Sequence, residues 1–202
     1  MLPNIERVSA AVRGAEHTLY RDAREQGRLW GYRIHRGRVW FDEEVRRAHA
    51  QFKQSLPAFL RQGRLSNLLT APIIYSLTVP LLLLDIWVTA YQWICFPIYR
   101  IPLVQRRRFL VIDRHKLGYL NAIEKAHCFY CSYATGLIDY VREISACTEQ
   151  YWCPIKHARP LPAPHSRSES FFSYGDAAGY RNGLGRARAS LRKRFAAKRR
   201  AS

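Results

Sequence analysis

Apolar positions recur along this chain with changing periods, and each change marks a different element. Residues 4–26 place Ile5, Val8, Val12, Ala15 and Leu19 at steps of three and four, which predicts a surface helix with one apolar stripe. The pattern then turns to alternation. Trp30, Tyr32 and Ile34, followed by Val39 and Phe41 across Arg36-Gly37, read as a short aromatic hairpin. Asp42, ahead of Glu43 and Glu44, is placed to cap a helix through Val45, His49, Phe52 and Leu56 that Pro57 ends or kinks.

Polar positions almost vanish over residues 68–98, "LLTAPIIYSLTVPLLLLDIWVTAYQWICFPI", whose only charge is Asp85. A transmembrane helix needs about 20 apolar residues. Fully helical, these 31 would reach about 46 Å, more than the roughly 30 Å of hydrocarbon. The excess calls for tilt, an interfacial first part, or a turn, and Pro72 and Pro80 are where a helix would break. Trp87, Tyr91, Trp93 and Tyr99 suit the headgroup level. Asp85 is a functional candidate, because a carboxylate in hydrocarbon needs a partner, a cavity or the interface; the plain alternative is a cap on backbone donors freed at a helix break.

Beyond the apolar run, 109–112 is briefly strand-like. From Asn121 to about Tyr151 a helical period returns through Ile123, Ala126, Tyr130, Tyr133, Ala134, Leu137, Val141 and Ile144. Residues 160–202 are rich in Pro, Ser, Gly and Arg and read as mostly disordered, with "GRARASLRKRFAAKRR" able to become helical on an anionic surface. The expected chain is mainly α: N-terminal amphipathic helices with a short hairpin (1–67), a membrane-inserted segment that is a re-entrant hairpin or a single span (68–99), a small cytoplasmic helical module (100–158), and a disordered basic tail (159–202).

Charge adds a partner. The net charge is +18, and residues 156–202 alone carry 12 Lys/Arg against 2 Asp/Glu. Such an excess suits nucleic acid or an anionic membrane face, and the apolar run favours the membrane. Arg106, Arg107, Arg108, Arg192, Lys193, Arg194, Lys198, Arg199 and Arg200 are therefore candidate contacts for anionic lipid. Basic residues flank both ends of the run, so the positive-inside rule allows a hairpin with both flanks cytoplasmic, or a single span with the heavier C-terminal cluster inside. Residues 1–17 contain no apolar h-region, so no cleavable signal peptide is expected.

The cysteines add chemistry. Cys128 and Cys131 stand three apart, on one face if helical, and Cys153 and His157 stand four apart downstream. Together they read Cys-x2-Cys-x21-Cys-x3-His, with both close pairs at zinc-ligand spacings. Cys147 in place of His157 gives an all-Cys set that could hold zinc or an iron–sulfur cluster. Buried packing and a redox pair at Cys128/Cys131 are the alternatives. Glu124 and His127 have the Glu-x-x-His spacing of di-iron bundles but lack a second such pair. No Gly-x-Ser-x-Gly, Walker-type loop or His-Glu-x-x-His occurs.

The phrases "LNAIEKAHCFYCSYATGLIDYVREI" and "TEQYWCPIKHA", with the apolar run before them, resemble an uncharacterised family of proteobacterial inner-membrane proteins over residues 41–158. The resemblance implies an inner-membrane location and favours Cys128, Cys131, Cys153 and His157 over the set with Cys147. A closed Cys3His zinc site leaves no open position, which predicts a scaffold or adaptor that contacts lipid and another membrane protein. The alternatives are a membrane-bound enzyme acting on a lipid-linked substrate near Asp85 and a thiol oxidoreductase using Cys128 and Cys131.

Overall fold

A computed structural model describes residues 18, 21, 22, 24–35, 38–63 and 65–200, with the backbone alone at Leu65, Leu68 and 194–200. The stripe predicted from Ile5 to Leu19 lies outside the described residues. The chain divides into two compact units, residues 1–64 with 113–129, and residues 65–112 with 130–202.

In the first unit, the alternating segment forms the predicted hairpin. Strands β1 (Tyr32–His35) and β2 (Arg38–Phe41) pair antiparallel, with Tyr32 opposite Phe41 and Ile34 opposite Val39. Gly31 leads into β1 at φ +62, and a Cβ there would sit 2.4 Å from Val45 Cγ2, so only glycine fits both the backbone and the space. Helix α1 (Glu43–Gln51) follows Asp42, which holds the N-cap position but makes no side-chain cap bond. Its carboxylate instead accepts Arg33 at 2.9 Å. Helix α1 stops six residues before Pro57, and Pro57 occupies the first turn of α2 (Leu56–Gln62), where a missing N–H costs nothing. The rings of Phe41, His49 and Tyr119 stack edge to face at 5.3 and 5.2 Å and hold the hairpin, α1 and the 113–120 loop together.

In the second unit, the apolar run forms α3 (Leu65–Ser76) and α4 (Thr78–Ile98), separated at Leu77. Pro80 explains the break. Its nitrogen cannot donate to the Ser76 carbonyl and its ring crowds that group, so α3 ends at Ser76 and Pro80 sits in the first turn of α4. Helix α4 closes with a Schellman motif. Ile101 N–H donates to Phe96 O at 2.7 Å and Arg100 N–H to Pro97 O at 3.0 Å, while Arg100 takes φ +55. Residues 109–112 form no strand; they run along α5 (Ala122–Trp152), which spans the predicted helix. Gly136 permits that approach, since a Cβ there would lie 2.6 Å from Phe109 O. The core joins Val88, Phe96, Ile101, Val104, Leu137, Tyr140, Ile144, Cys147 and Leu191.

Part of the stretch expected to be mostly disordered, residues 160–193, is instead docked. Arg167 is buried between Glu143 Oε1 at 2.6 Å and Gln150 Oε1 at 2.9 Å, His165 meets Glu149 at 2.8 Å, and Ile155 bridges Phe172. Helix α6 (Ala177–Arg200) then packs on the last turn of α5, where the Gln150 amide donates to Ala187 O and Ser190 Oγ and Arg188 donates to Tyr151 O, with Leu191 buried.

Candidate functional site

Helix α4 has the arrangement of a water-soluble helix turned inside out. Its inward side is set by Asp85, Val88, Gln92 and Phe96, at steps of three and four, with Asp85 6% and Gln92 2% exposed. Its outward side carries Val79, Leu83, Ile86, Trp87, Trp93, Ile94 and Ile98, of which Ile86 is 67% and Trp87 79% exposed. Helix α3 continues this outer surface through Leu69 and Ile73. Residues 69–98 are long and apolar enough to cross a membrane, and only 11% of their most apolar window is buried, unlike the core helix of a soluble protein.

The inward polar groups are satisfied by α5 and the loop after α4. Arg106 makes a bidentate pair with Asp85, at 2.5 Å to Oδ1 and 2.6 Å to Oδ2. Tyr133 donates to Asp85 Oδ2 at 2.8 Å, and Thr89 to Oδ1 at 3.4 Å. Burial, then the hydrogen bond to this carboxylate and its charge, push the Tyr133 phenol up to about 12. Two turns on, Gln92 Nε2 donates to Tyr140 Oη while Gln92 Oε1 accepts Val104 N–H at 3.1 Å. Asp85 therefore neither caps a helix break nor faces an open cavity.

The contacts also fix direction. Going along α5, Tyr130 donates to Ile74 O, Tyr133 reaches Asp85, Tyr140 reaches Gln92, Thr148 pairs with Tyr91, and Tyr151 and Trp152 stack on Tyr99. From Asp85 to Tyr99 the chain thus runs in the same direction as residues 133–152, a stretch of about 28 Å of α5 at about 1.5 Å per residue. The chain does not double back near Pro80, so the re-entrant hairpin is replaced by a helix pair broken once and laid along α5.

The predicted metal ligands are separated by the same helix. Cys128 and Cys131 sit one turn apart near its start, and Cys153 follows its last residue, about 33 Å beyond Cys131 by helical rise. One ion cannot bind residues so far apart, whether His157 or Cys147 is the fourth. Among the described residues no group of three or more His, Cys, Asp or Glu is placed to hold a metal ion. The donor set thus does not fit zinc or an iron–sulfur cluster within one chain. Cys147 is buried in the core, which pushes its thiol up to about 12, whereas Cys131 and Cys153 are exposed.

Of the candidate lipid contacts, Arg106 is committed to Asp85. Arg107, Arg108, Arg192 and Lys193 are exposed, and the side chains of Arg194, Lys198, Arg199 and Arg200 lie outside those described. Sequence reasoning missed Gln92, Tyr133 and Tyr140, and the Glu143–Arg167–Gln150 cluster. The first group had a signal: Asp85, Thr89 and Gln92 form a polar stripe at helical spacing inside the apolar run. Comparison with protein-family models, curated proteins and solved structures found no match.

Proposed function

We propose that the protein is a membrane-surface scaffold, lying on the cytoplasmic face of a bacterial inner membrane with α3 and α4 in the plane of the lipid interface. The outward apolar side of α4 carries this reading. Large apolar side chains gain about 1.5–3 kcal/mol each on leaving water, and a bilayer offers that along the whole α3–α4 surface. Trp87 and Trp93 are suited to the interface.

Helix α5 argues for lying rather than spanning. It accompanies α4 along its length, so a spanning α4 would carry Asp139, Arg142, Glu143 and Glu149 into hydrocarbon. Charged groups at mid-membrane cost about 2.5–3.5 kcal/mol each on insertion scales. With the pair in plane, the apolar side of α4 enters the acyl boundary to roughly 5–10 Å while the exposed side of α5 remains in water. Arg107, Arg108, Arg192 and Lys193, joined by the basic end of α6, add attraction to anionic headgroups of about 1 kcal/mol for each group near the surface.

A scaffold role is favoured over catalysis at Asp85, because both oxygens of that carboxylate are engaged by Arg106, Tyr133 and Thr89. A thiol oxidoreductase fits less well, since Cys128 and Cys131 lie inside α5 rather than at its first turn. Flotation with phosphatidylglycerol-containing vesicles tests the reading. The protein should float with them and less with neutral vesicles, and added salt should weaken the binding without removing it. A detergent-free monomer, or a dimer that covers α4 with a second copy, that stays at the bottom of the gradient would contradict it.

A further inference from the structure

We infer that the β1–β2 hairpin of the first unit is itself a contact surface for an anionic phospholipid bilayer. The observations come from that unit alone and do not rest on the reading of α3 and α4. Residues 28–40, "RLWGYRIHRGRVW", hold four arginines and a histidine and no acidic residue. Leu29, Trp30, Ile34 and Trp40 within this stretch are each more than half exposed. Cations interleaved with large apolar side chains are the composition of segments that settle at a lipid–water boundary.

The pairing register sorts the hairpin into two sides. Tyr32 lies opposite Phe41 and Ile34 opposite Val39, and this side meets α1, where the Phe41 ring stacks on His49 at 5.3 Å. The other side is formed by Arg33 opposite Trp40 and His35 opposite Arg38, and all four are exposed. Strand alternation thus leaves an indole on the solvent side of a two-stranded sheet. A side chain of that size gains about 1.5–3 kcal/mol on leaving water. Arg33 spends its charge on Asp42 at 2.9 Å, whereas Arg38 stands two residues from Trp40 on the same side and is exposed.

Charge and side-chain chemistry together select the partner. The arginines call for an anionic surface, which excludes an apolar protein groove as the occupant. A single-stranded nucleic acid would also answer to arginine and tryptophan, its bases stacking on the indoles. Leu29 and Ile34 decide between the two. Aliphatic side chains offer no face for base stacking, but at the edge of the acyl region they are buried with Trp30 and Trp40 while the arginines remain among the phosphates.

The experiment attaches a nitrobenzoxadiazole label, which brightens on leaving water, to the full chain after Ser replaces the exposed native thiols. It is placed singly at Trp40→Cys, at Ile86→Cys on α4, and at Arg47→Cys, on the side of α1 away from Val45 and His49. Vesicles containing phosphatidylglycerol should raise the emission at position 40 about twofold or more and leave position 47 unchanged. In unlabelled protein Arg38→Gln should weaken vesicle binding about fivefold, and Trp40→Ala about tenfold. Emission at position 40 that does not change, or a rise matched at position 47, would overturn the inference, as would vesicle affinities of both variants equal to wild type. A larger response at position 40 to a single-stranded oligonucleotide than to vesicles would overturn it in favour of nucleic acid. A response at position 40 without one at 86 would sink the membrane contact of α4 and keep that of the hairpin; a response at 86 without one at 40 would do the reverse.

Discussion

Helices α4 and α5 lie side by side with opposite amphipathicity. Helix α5 directs Leu137, Tyr140, Ile144 and Cys147 inward and leaves Asp139 and Arg142 exposed, as a helix in water does. Helix α4 buries Asp85 and Gln92 and leaves leucines, isoleucines and tryptophans uncovered. On the membrane-surface reading proposed above, the two outward surfaces meet different solvents, with the boundary running along the pair rather than across it. The buried carboxylate and amide of α4 are therefore the means by which an apolar helix is held to a water-facing one in a single register.

The strongest way to break the comparison is to remove the charge pairing at its centre. Arg106→Ala leaves the Asp85 carboxylate buried without its bidentate partner and should cost about 3–5 kcal/mol of stability, read by denaturant unfolding in mild detergent. Asp85→Asn should cost less, because the Arg106 guanidinium it frees is partly exposed and water can reach it. Equal losses from the two would mean that Asp85 is not held as described.

A second pair separates the two sides of α4. Leu83→Gln or Ile86→Gln, on the outer side, should leave unfolding unchanged and reduce vesicle binding by about 1–3 kcal/mol each. Val88→Gln, on the inner side, should instead lower stability through an unpaired buried amide. The end of α4 gives a smaller effect of opposite sign. Arg100→Gly relieves the left-handed conformation that closes the helix and should stabilise the fold by about 1 kcal/mol. No gain, or a loss of vesicle binding, would assign the Arg100 side chain a role of its own.

The smallest predicted effect is chemical. Burial holds the Cys147 thiol up to about 12, so at pH 8 it should resist alkylation while exposed Cys131 reacts. The sign follows from the neutral thiol being favoured in the folded state: its stabilising share is complete below an unfolded value near 9.0 and is lost as pH rises toward 12. Cys147 modified as fast as Cys131 in native protein would place it outside the core.

Much of this helix pair was legible in the sequence, because a run of apolar residues and a 3.6-residue period are local signals. The polar stripe of Asp85, Thr89 and Gln92 was equally local and could have been read as a buried face. What spacing could not reveal depends on contacts between distant residues. The basic tail looked disordered by composition, yet Arg167 reaches Glu143 and Gln150 across 24 and 17 residues and docks it. The Cys3His expectation failed for the opposite reason. Its two half-motifs are each well spaced, but the residues between them form one rigid helix, and a rigid helix cannot fold its ends onto one ion.

Spin labels at Val79, Ile86 and Ile94 test the central claim most directly. All three project from the uncovered side of α4, at steps of seven and eight residues, and can be introduced as cysteines after Ser replaces the exposed native thiols. Depth in phosphatidylglycerol-containing bilayers is then read from relaxation by oxygen and by a water-soluble nickel complex. The same shallow depth is expected at all three positions, within about 5–10 Å of the headgroup boundary. A graded series, with depth changing by about 1.5 Å per residue from Val79 to Ile94, would mean that α4 crosses the bilayer and would contradict it.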